Sequence, residues 1–375
     1  MNPYLTLDDV EVEDLRVLVR SDLNVPVEEG EVGDDFRIRS ALPTLERLAA
    51  SGAAVTVCSH LGRPKGPDPA FSLEPVAQRM DELTEYDIGF GSEGDITVLE
   101  NTRFLEGETS NDPETARYLA DSFDLFVQDA FGSVHRAHAS TVGVAEIVRS
   151  VAGPLLHAEL TALGRLLGDA DRPYIVVLGG AKVSDKLGVL ENLLPKVDRM
   201  LIGGGMCFTF LRAQGQPVGD SLVEESMLGT VADLAGDDRI VLPSDVVVAD
   251  SFAEDSQHRV TTVDEIPDGW MGLDIGPETS TEFARLVRES ASVFWNGPMG
   301  VFEWGPYRAG TEAVARAMGE CEGFTAVGGG DSAAALRLLG LEDTVSHLST
   351  GGGAGLELLE GQILPGVAVL ERWVE

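Results

Sequence analysis

Three segments in the first half of the sequence each set cations just beyond a short β-branched run. SHLGRP (59–64) projects His60 and Arg63 around a turn that Gly62 permits, with Leu61 between them. LENTRF (99–104) and DAFGSVHRAH (129–138) place Arg103 and Arg136 in the same relation to their own runs, and Arg37 follows the first run and its loop. A lone arginine in a loop is ordinarily a solvated charge. Four or five cations at successive strand ends repel one another unless an anion sits among them. Guanidinium forks match phosphate and carboxylate bidentately, so the pattern points to an anionic ligand. VRSDLNVP (19–26) adds Asp22 and Asn24, which suit ligand hydroxyls or the orientation of arginines and equally suit plain turn chemistry. His135 and His138 form His-x-x-His, a spacing that fits one helical face. No third ligand is apparent nearby, and zinc sites take three or four.

The second half sets glycines after its β-branched runs: Gly179-Gly180, Gly203 to Gly205, Gly297, Gly328 to Gly330 and Gly351 to Gly353. GGAKVSDK (179–186) leads into a helical segment and holds two of the four lysines of the chain, Lys182 and Lys186. It is not a Walker A loop, because the G-x-x-x-x-G-K spacing fails. Lysines at a helix start oppose the helix dipole, and a bound anion is the better reason for them. Four residues apart on a helix, they point to one side. VGGGDSAAA (327–335) sets Asp331 and Ser332 where a helix opens. Asp331 serves there either as an N-cap or as a carboxylate for a magnesium ion on nucleotide phosphates. In STGGGAG (349–355), bare glycine N–H groups at another helix start can cradle developing negative charge. FWNGPMGVFEW (294–304) has a core-like aromatic character, with Asn296 and Glu303 as polar exceptions suited to nucleotide phosphate and ribose.

Strand-like runs occur at 16–20, 53–58, 96–100 and 125–128, then at 174–178, 199–202, 291–295, 324–327 and 344–348. Helix-like segments at 38–50, 113–122, 184–194, 279–288 and 331–338 alternate with them. That alternation predicts an α/β protein with two doubly wound parallel sheets, one in each half. Open parallel sheets bind ligands beyond the carboxyl ends of their strands. The first half therefore presents a basic crevice and the second a glycine-lined crevice backed by helix N-termini. The apolar, helically periodic stretch 153–168 joins a first domain, 1–152, to a second, 169–355.

A chain of 375 residues suits two such domains better than one core. With 43% hydrophobic residues it carries enough apolar area to fold. It has no apolar run of membrane-spanning length, and its start, MNPYLTLDDVEVEDL, lacks the features of a secretory signal. Cys58, Cys207 and Cys321 form neither a disulfide framework nor a zinc pattern, so a reducing, cytoplasmic setting is expected. Asp and Glu total 63 against 27 Lys and Arg, a formal net charge of −36. Such a surface repels nucleic-acid phosphates. With only four lysines, at 65, 182, 186 and 196, it predicts adaptation to a salt-rich cytoplasm.

VRSDLNVP, DDFRIRSALPTL, SHLGRPKG, LENTRF, DAFGSVHRAHAST, LGGAKVSDKL, IGGGMCFTF, FWNGPMGVFEW, GGGDSAAA and STGGGA, in this order, resemble the signature segments of the phosphoglycerate kinase family. The resemblance spans essentially the whole chain and implies a hinge-bending kinase of two Rossmann-like domains. It implies 3-phosphoglycerate or 1,3-bisphosphoglycerate bound by Asp22, Asn24, Arg37, His60, Leu61, Gly62, Arg63, Arg103 and Arg136. It implies ATP or ADP bound by Lys186, Asn296, Glu303, Gly329, Gly330, Asp331 and Ser332, with Mg²⁺ supported by Asp331. Arg37, Lys182, Gly351, Gly352 and Gly353 would stabilise the moving phosphoryl group. A monomer, with a C-terminal tail from about 356 to 375 returning to the first domain, also follows from it. Ser332 stands where the family usually has threonine and keeps the hydroxyl. Two rivals are weaker. A dinucleotide-dependent dehydrogenase would need an acid at the end of the strand after Gly328-x-Gly330-x-x-Ala333, where Ser349 and Thr350 stand. A non-catalytic nucleotide-binding protein would have no use for the cation set and Lys182.

Overall fold

RVLVR and AVTVC are apolar enough to be covered on both faces, as parallel strands must be. They form β1 (Arg16–Arg20) and β2 (Ala54–Cys58), paired in parallel from Arg16 opposite Ala54 to Arg20 opposite Cys58. A computed structural model describes residues 3–374. The chain divides into two compact units, one of residues 1–161 with 362–375, the other of residues 162–361.

The first unit holds a six-stranded parallel sheet. Its remaining strands are β3 (Ile88–Phe90), β4 (Ile96–Val98), β5 (Leu125–Gln128) and β6 (Ser150–Ala152), and the order is β3-β4-β2-β1-β5-β6. The sequence pattern points to β1, β2, β4 and β5; β3 and β6 are three-residue edge strands with little pattern to show. Helix α1 (Phe36–Ala50) buries Ile38, Ala41, Leu42, Leu45 and Leu48, the i, i+3, i+4 stripe of an amphipathic helix. Pro43 lies inside it and forfeits one rung of the ladder. Helix α2 (Pro154–Leu167) starts with proline at its first position, where a missing N–H costs nothing. Its free N–H groups at Leu155 and Leu156 donate to Asp129 Oδ1 at 2.9 and 3.1 Å. A Cβ on Gly153 would lie 2.2 Å from that oxygen, so only glycine fits. The division between the units falls within α2.

The second unit holds a second parallel six-stranded sheet. Its strands are β7 (Tyr174–Leu178), β8 (Arg199–Ile202), β9 (Ile240–Val241), β13 (Ser292–Asn296), β14 (Phe324–Gly328) and β15 (His347–Leu348). The order β9-β8-β7-β13-β14-β15 is the dinucleotide-fold order, 3-2-1-4-5-6. Between β9 and β13 the chain builds an antiparallel sheet, β11-β10-β12, from β10 (Asp245–Ala249), β11 (His258–Thr262) and β12 (Met271–Ile275). This sheet departs from the simple alternation expected of the sequence. Every residue of β7 and β13 is buried, and Trp295, Phe283, Val293 and Met318 belong to the core around them. Among the described residues no helix is long and apolar enough to cross a membrane.

Candidate active site

At the carboxyl edge of the first sheet, the residues that follow β1, β2 and β4 are tied together. Arg37 Nη1 donates to Asp22 Oδ1 at 3.3 Å and to the Asn24 carbonyl at 2.9 Å, so the first turn of α1 is fixed to the loop after β1. Asn24 Oδ1 accepts from Gly62 N at 2.8 Å, and Arg103 donates to the Gly62 carbonyl. Gly62 has φ +59, and a Cβ there would overlap the Phe71 ring at 2.4 Å. Leu61 is buried beneath the turn. Asn24 thus shapes the His60–Arg63 turn, in line with its turn chemistry.

Sequence reasoning missed the centre of this cluster. Arg20, the last residue of β1, is fully buried. It donates to Ser140 Oγ at 2.9 Å, to the Ser21 carbonyl and to His60 Nδ1 at 3.0 Å. Ser140 Oγ donates to Glu108 Oε1 at 2.6 Å, and the backbone N–H of Ser140 donates to Glu108 Oε2 at 3.0 Å. Glu108 is equally buried, so one hydroxyl links the buried cation to a buried anion. The only signal for Arg20 is a cation closing a strand whose middle is apolar. Nothing in LEGETS marks Glu108.

Burial, then the charges of Arg20 and Arg103, hold His60 well below its ordinary pKa, so it is neutral at pH 7. Burial and then Arg20 also lower Arg103. The Arg103 Nε is buried without a hydrogen-bond partner. An unpartnered guanidinium N–H among like charges suits an anionic ligand. Arg63 and Arg136 are exposed, and their charges bear on Arg103 and His138 respectively. All the cations picked from the sequence in this half therefore share one field. His135 and His138 do not share a helical face. His135 follows a 3-10 turn, and His138 precedes a π-helical turn, its Nδ1 3.9 Å from Glu108 Oε1. Among the described residues no three His, Cys, Asp or Glu side chains are grouped to hold a metal ion by themselves.

In the second unit the carboxyl ends of β7 and β13 approach so closely that side chains have no room. Gly179 N donates to the Asn296 carbonyl and Gly180 N to the Pro298 carbonyl, both at 2.9 Å. A Cβ on Gly179 would meet Pro298 O at 2.1 Å. Asn296 is buried, donates to the Gly328 carbonyl at 2.8 Å and accepts from Lys186 Nζ. Burial brings Lys186 down to about 8, against the opposing charges of Asp185 and Asp331. Ser332, buried, accepts from Gly297 N at 2.6 Å. Lys186, Asn296, Asp331, Ser332 and the glycines at 328–330 thus converge on one strand edge.

Two expectations change here. Lys182 lies before the 3-10 turn Ser184–Lys186 and is exposed, so the two lysines do not share a helical face. The N-cap of helix α4 (Gly330–Leu339) is Gly329, at φ 92 and ψ 144; Asp331 sits in the first turn, exposed. A Cβ at that cap is strained by its positive φ, so the acid stands two residues further on, in the exposed first turn. Glu303 is also exposed, in the loop after β13, with its carbonyl accepting from Arg308 at 3.2 Å. Gly351 N donates to Ser349 Oγ at 3.1 Å, and Gly352, at φ 43, caps helix α5 (Gly353–Leu359). α5 packs on helix α3 (Leu187–Leu193): Asn192 Nδ2 donates to Leu359 O at 2.7 Å, and Gly188 leaves room for Glu360. The glycines 351–353 and the Lys182–Lys186 turn thus belong to neighbouring elements.

The sequence profile of the phosphoglycerate kinase family matches residues 7–362. A phosphoglycerate kinase of Rubrobacter xylanophilus is 54% identical over 96% of this chain and 97% of its own length. One from Deinococcus radiodurans is 50% identical over 98% and 95%. Among solved structures, phosphoglycerate kinase from Coxiella burnetii superposes with a TM-score of 0.91 at 40% identity, covering 100% of both chains. The Pyrococcus horikoshii enzyme does so at 0.82, with 29% identity and 98% of each chain.

Proposed function

Since the chain belongs to the phosphoglycerate kinase family and so moves a phosphoryl group reversibly between ATP and 3-phosphoglycerate, we propose how its own residues divide that work. The first unit holds 3-phosphoglycerate or 1,3-bisphosphoglycerate, through Arg37, His60, Arg63, Arg103 and Arg136, with Asp22, Asn24, Leu61 and Gly62 shaping the crevice. The second unit holds ATP or ADP, through Lys186, Asn296, Glu303 and the Gly329–Gly330–Asp331–Ser332 helix start. The observation that carries this division is the contrast between the two strand edges. One is a field of cations with an orphaned Arg103 N–H; the other is a glycine-lined edge with a buried lysine.

The acceptor is a carboxylate, ionised at neutral pH because its ordinary pKa is about 4. No general base is required, which agrees with a neutral His60. The obstacle is an anion attacking an anionic phosphate, and cations with fixed N–H dipoles offset it. Arg37 and Lys182, with the N–H groups of Gly351, Gly352 and Gly353, take that part. Asp331 fits a magnesium ion: its carboxylate is a hard oxygen donor, exposed at a helix start beside nucleotide-binding glycines. A magnesium ion held there neutralises charge on the nucleotide phosphates. Ligands on separate units have to meet for in-line transfer, so a closing motion that also excludes water belongs to this reading. A cytoplasmic monomer, adapted to salt, completes it.

Binding measurements on two variants test the division. Arg63→Ala weakens 3-phosphoglycerate and leaves ATP affinity nearly unchanged, and Asp331→Ala does the reverse. Equal losses of both ligands in each variant would remove the assignment.

A further inference from the structure

Two charged groups of the first unit, Arg20 and Glu108, are fully buried. Arg20 closes β1 and meets His60, one of the residues that follow β2 at the carboxyl edge of the sheet. Its Nη2 lies 3.0 Å from His60 Nδ1. A guanidinium has donors only, so the Nδ1 it meets must be the nitrogen without a proton. A neutral imidazole carries its one proton on the other nitrogen, here Nε2.

We propose that Arg20 is a positioning residue that locks His60 as the Nε2–H tautomer, so that the crevice is offered a hydrogen-bond donor at a fixed orientation. The inference rests on the reading of the first crevice as the 3-phosphoglycerate site.

Three further contacts keep Arg20 in place. Ser140 Oγ accepts from Arg20 Nε at 2.9 Å while giving its own proton to Glu108 at 2.6 Å. The Ser21 carbonyl accepts from Nη1. Ser59 Oγ, 3.5 Å from Nη1, accepts from Leu23 N at 2.9 Å and so joins the end of β2 to the loop after β1. The Glu108–Ser140–Arg20–His60 chain alternates anion, hydroxyl, cation and imidazole, and each proton in it has one place to go. Without Arg20 the imidazole is free to carry its proton on either nitrogen. The tautomer with Nδ1–H turns an acceptor toward an anionic ligand. Arg20 acts through His60, unlike Arg37 and Arg103, which lie at the crevice themselves.

Long-range ¹H–¹⁵N spectra of the full-length protein test this directly, with His60 assigned by the signal missing in His60→Gln. The expected result is a non-protonated Nδ1 and a protonated Nε2 across pH 6.5 to 8. An Nδ1–H tautomer, or a mixture, in the unsubstituted protein overturns the proposal, and that measurement needs no Arg20 variant to fold. Arg20→Met is expected to give mixed tautomers and to raise the KM for 3-phosphoglycerate about tenfold, with the KM for ATP within about twofold. Arg20→Lys, which keeps a donor, is expected to restore the Nε2–H tautomer. Unchanged tautomers in Arg20→Met overturn the role of Arg20. If the tautomer is as expected but titration with 3-phosphoglycerate leaves the Nε2 signal unmoved, the reading of the crevice fails and the Arg20–His60 pairing stands.

Discussion

Arg37 occupies a position that separates holding a substrate from transferring a phosphoryl group. Its side chain is 31% exposed, and its guanidinium is anchored through Nη1, to Asp22 and the Asn24 carbonyl. The other donors of the fork remain for a ligand. Arg63, Arg103 and Arg136 remain to hold the substrate when Arg37 is removed. Arg37→Ala should therefore lower kcat by roughly 10³ or more while KM changes by less than about tenfold, the pattern of a contact made in the transition state. Arg37→Lys keeps the charge, loses the planar fork and should recover only part of the rate. Steady-state kinetics at fixed high salt measure this, and a normal kcat with a greatly raised KM would show that Arg37 only binds. Residues of this kind are legible in a sequence because they follow strand ends in turns, among glycine, proline and asparagine. Arg20 and Glu108 are not. They are buried polar residues whose charges are offset by partners far along the chain: His60 and Ser140, 40 and 120 positions from Arg20, and Ser140, 32 positions from Glu108. No local spacing announces them.

The elements that hold these residues were legible in proportion to the strength of their local pattern. RVLVR, AVTVC, YIVVL and SVFWN are buried throughout or nearly so and read as strands. The strand β10 has an equally strong run, DVVVA, but its antiparallel partner HRVTT is mostly exposed and carries no apolar face. Partner choice there comes from tertiary pairing. The start of α4 shows how one backbone position governs a half-site. Gly329 has φ 92, and a Cβ there would lie 2.8 Å from Asn296 Nδ2. Asn296 in turn accepts from Lys186. Gly329→Ala should cost roughly 1–3 kcal/mol from the strained backbone alone, seen as a lower Tm. Because Asn296 must move, the KM for ATP should rise about tenfold with the KM for 3-phosphoglycerate nearly unchanged. Gly330→Ala is the control for stability: a Cβ there meets nothing within 4 Å, and its backbone is not at positive φ. Equal Tm values for the two variants would show that the cap conformation does not constrain Gly329.

At the scale of the whole molecule the governing quantity is charge. The 63 acidic residues outnumber the 27 arginines and lysines, leaving a net charge of −36. Salt acts on this surface in two opposed ways. It screens ion pairs such as Arg16–Asp124, Arg172–Asp198 and Arg285–Glu282, which are substantially exposed and add little to stability. It also screens repulsion among the carboxylates, which outnumber the cations more than twofold and so cannot all be paired. The second effect should win. The Debye length falls from about 30 Å at 0.01 M to about 3 Å at 1 M, so repulsion across the width of a domain is lost while contacts at 2.8 Å are weakened less. The salt-adapted reading thus predicts that Tm and activity rise together as KCl increases from about 0.01 to 1 M, with most of the gain by the point where the Debye length is about 10 Å, near 0.1 M. A gain that instead continues steeply into molar salt would point to preferential exclusion of the salt from the surface, which sulfate produces more strongly than chloride. Thermal melts in KCl and in potassium sulfate at matched ionic strength separate the two, because screening depends on ionic strength alone. Full stability and activity in dilute buffer, or a Tm that falls with KCl, would remove salt adaptation as the reason for the acidic surface.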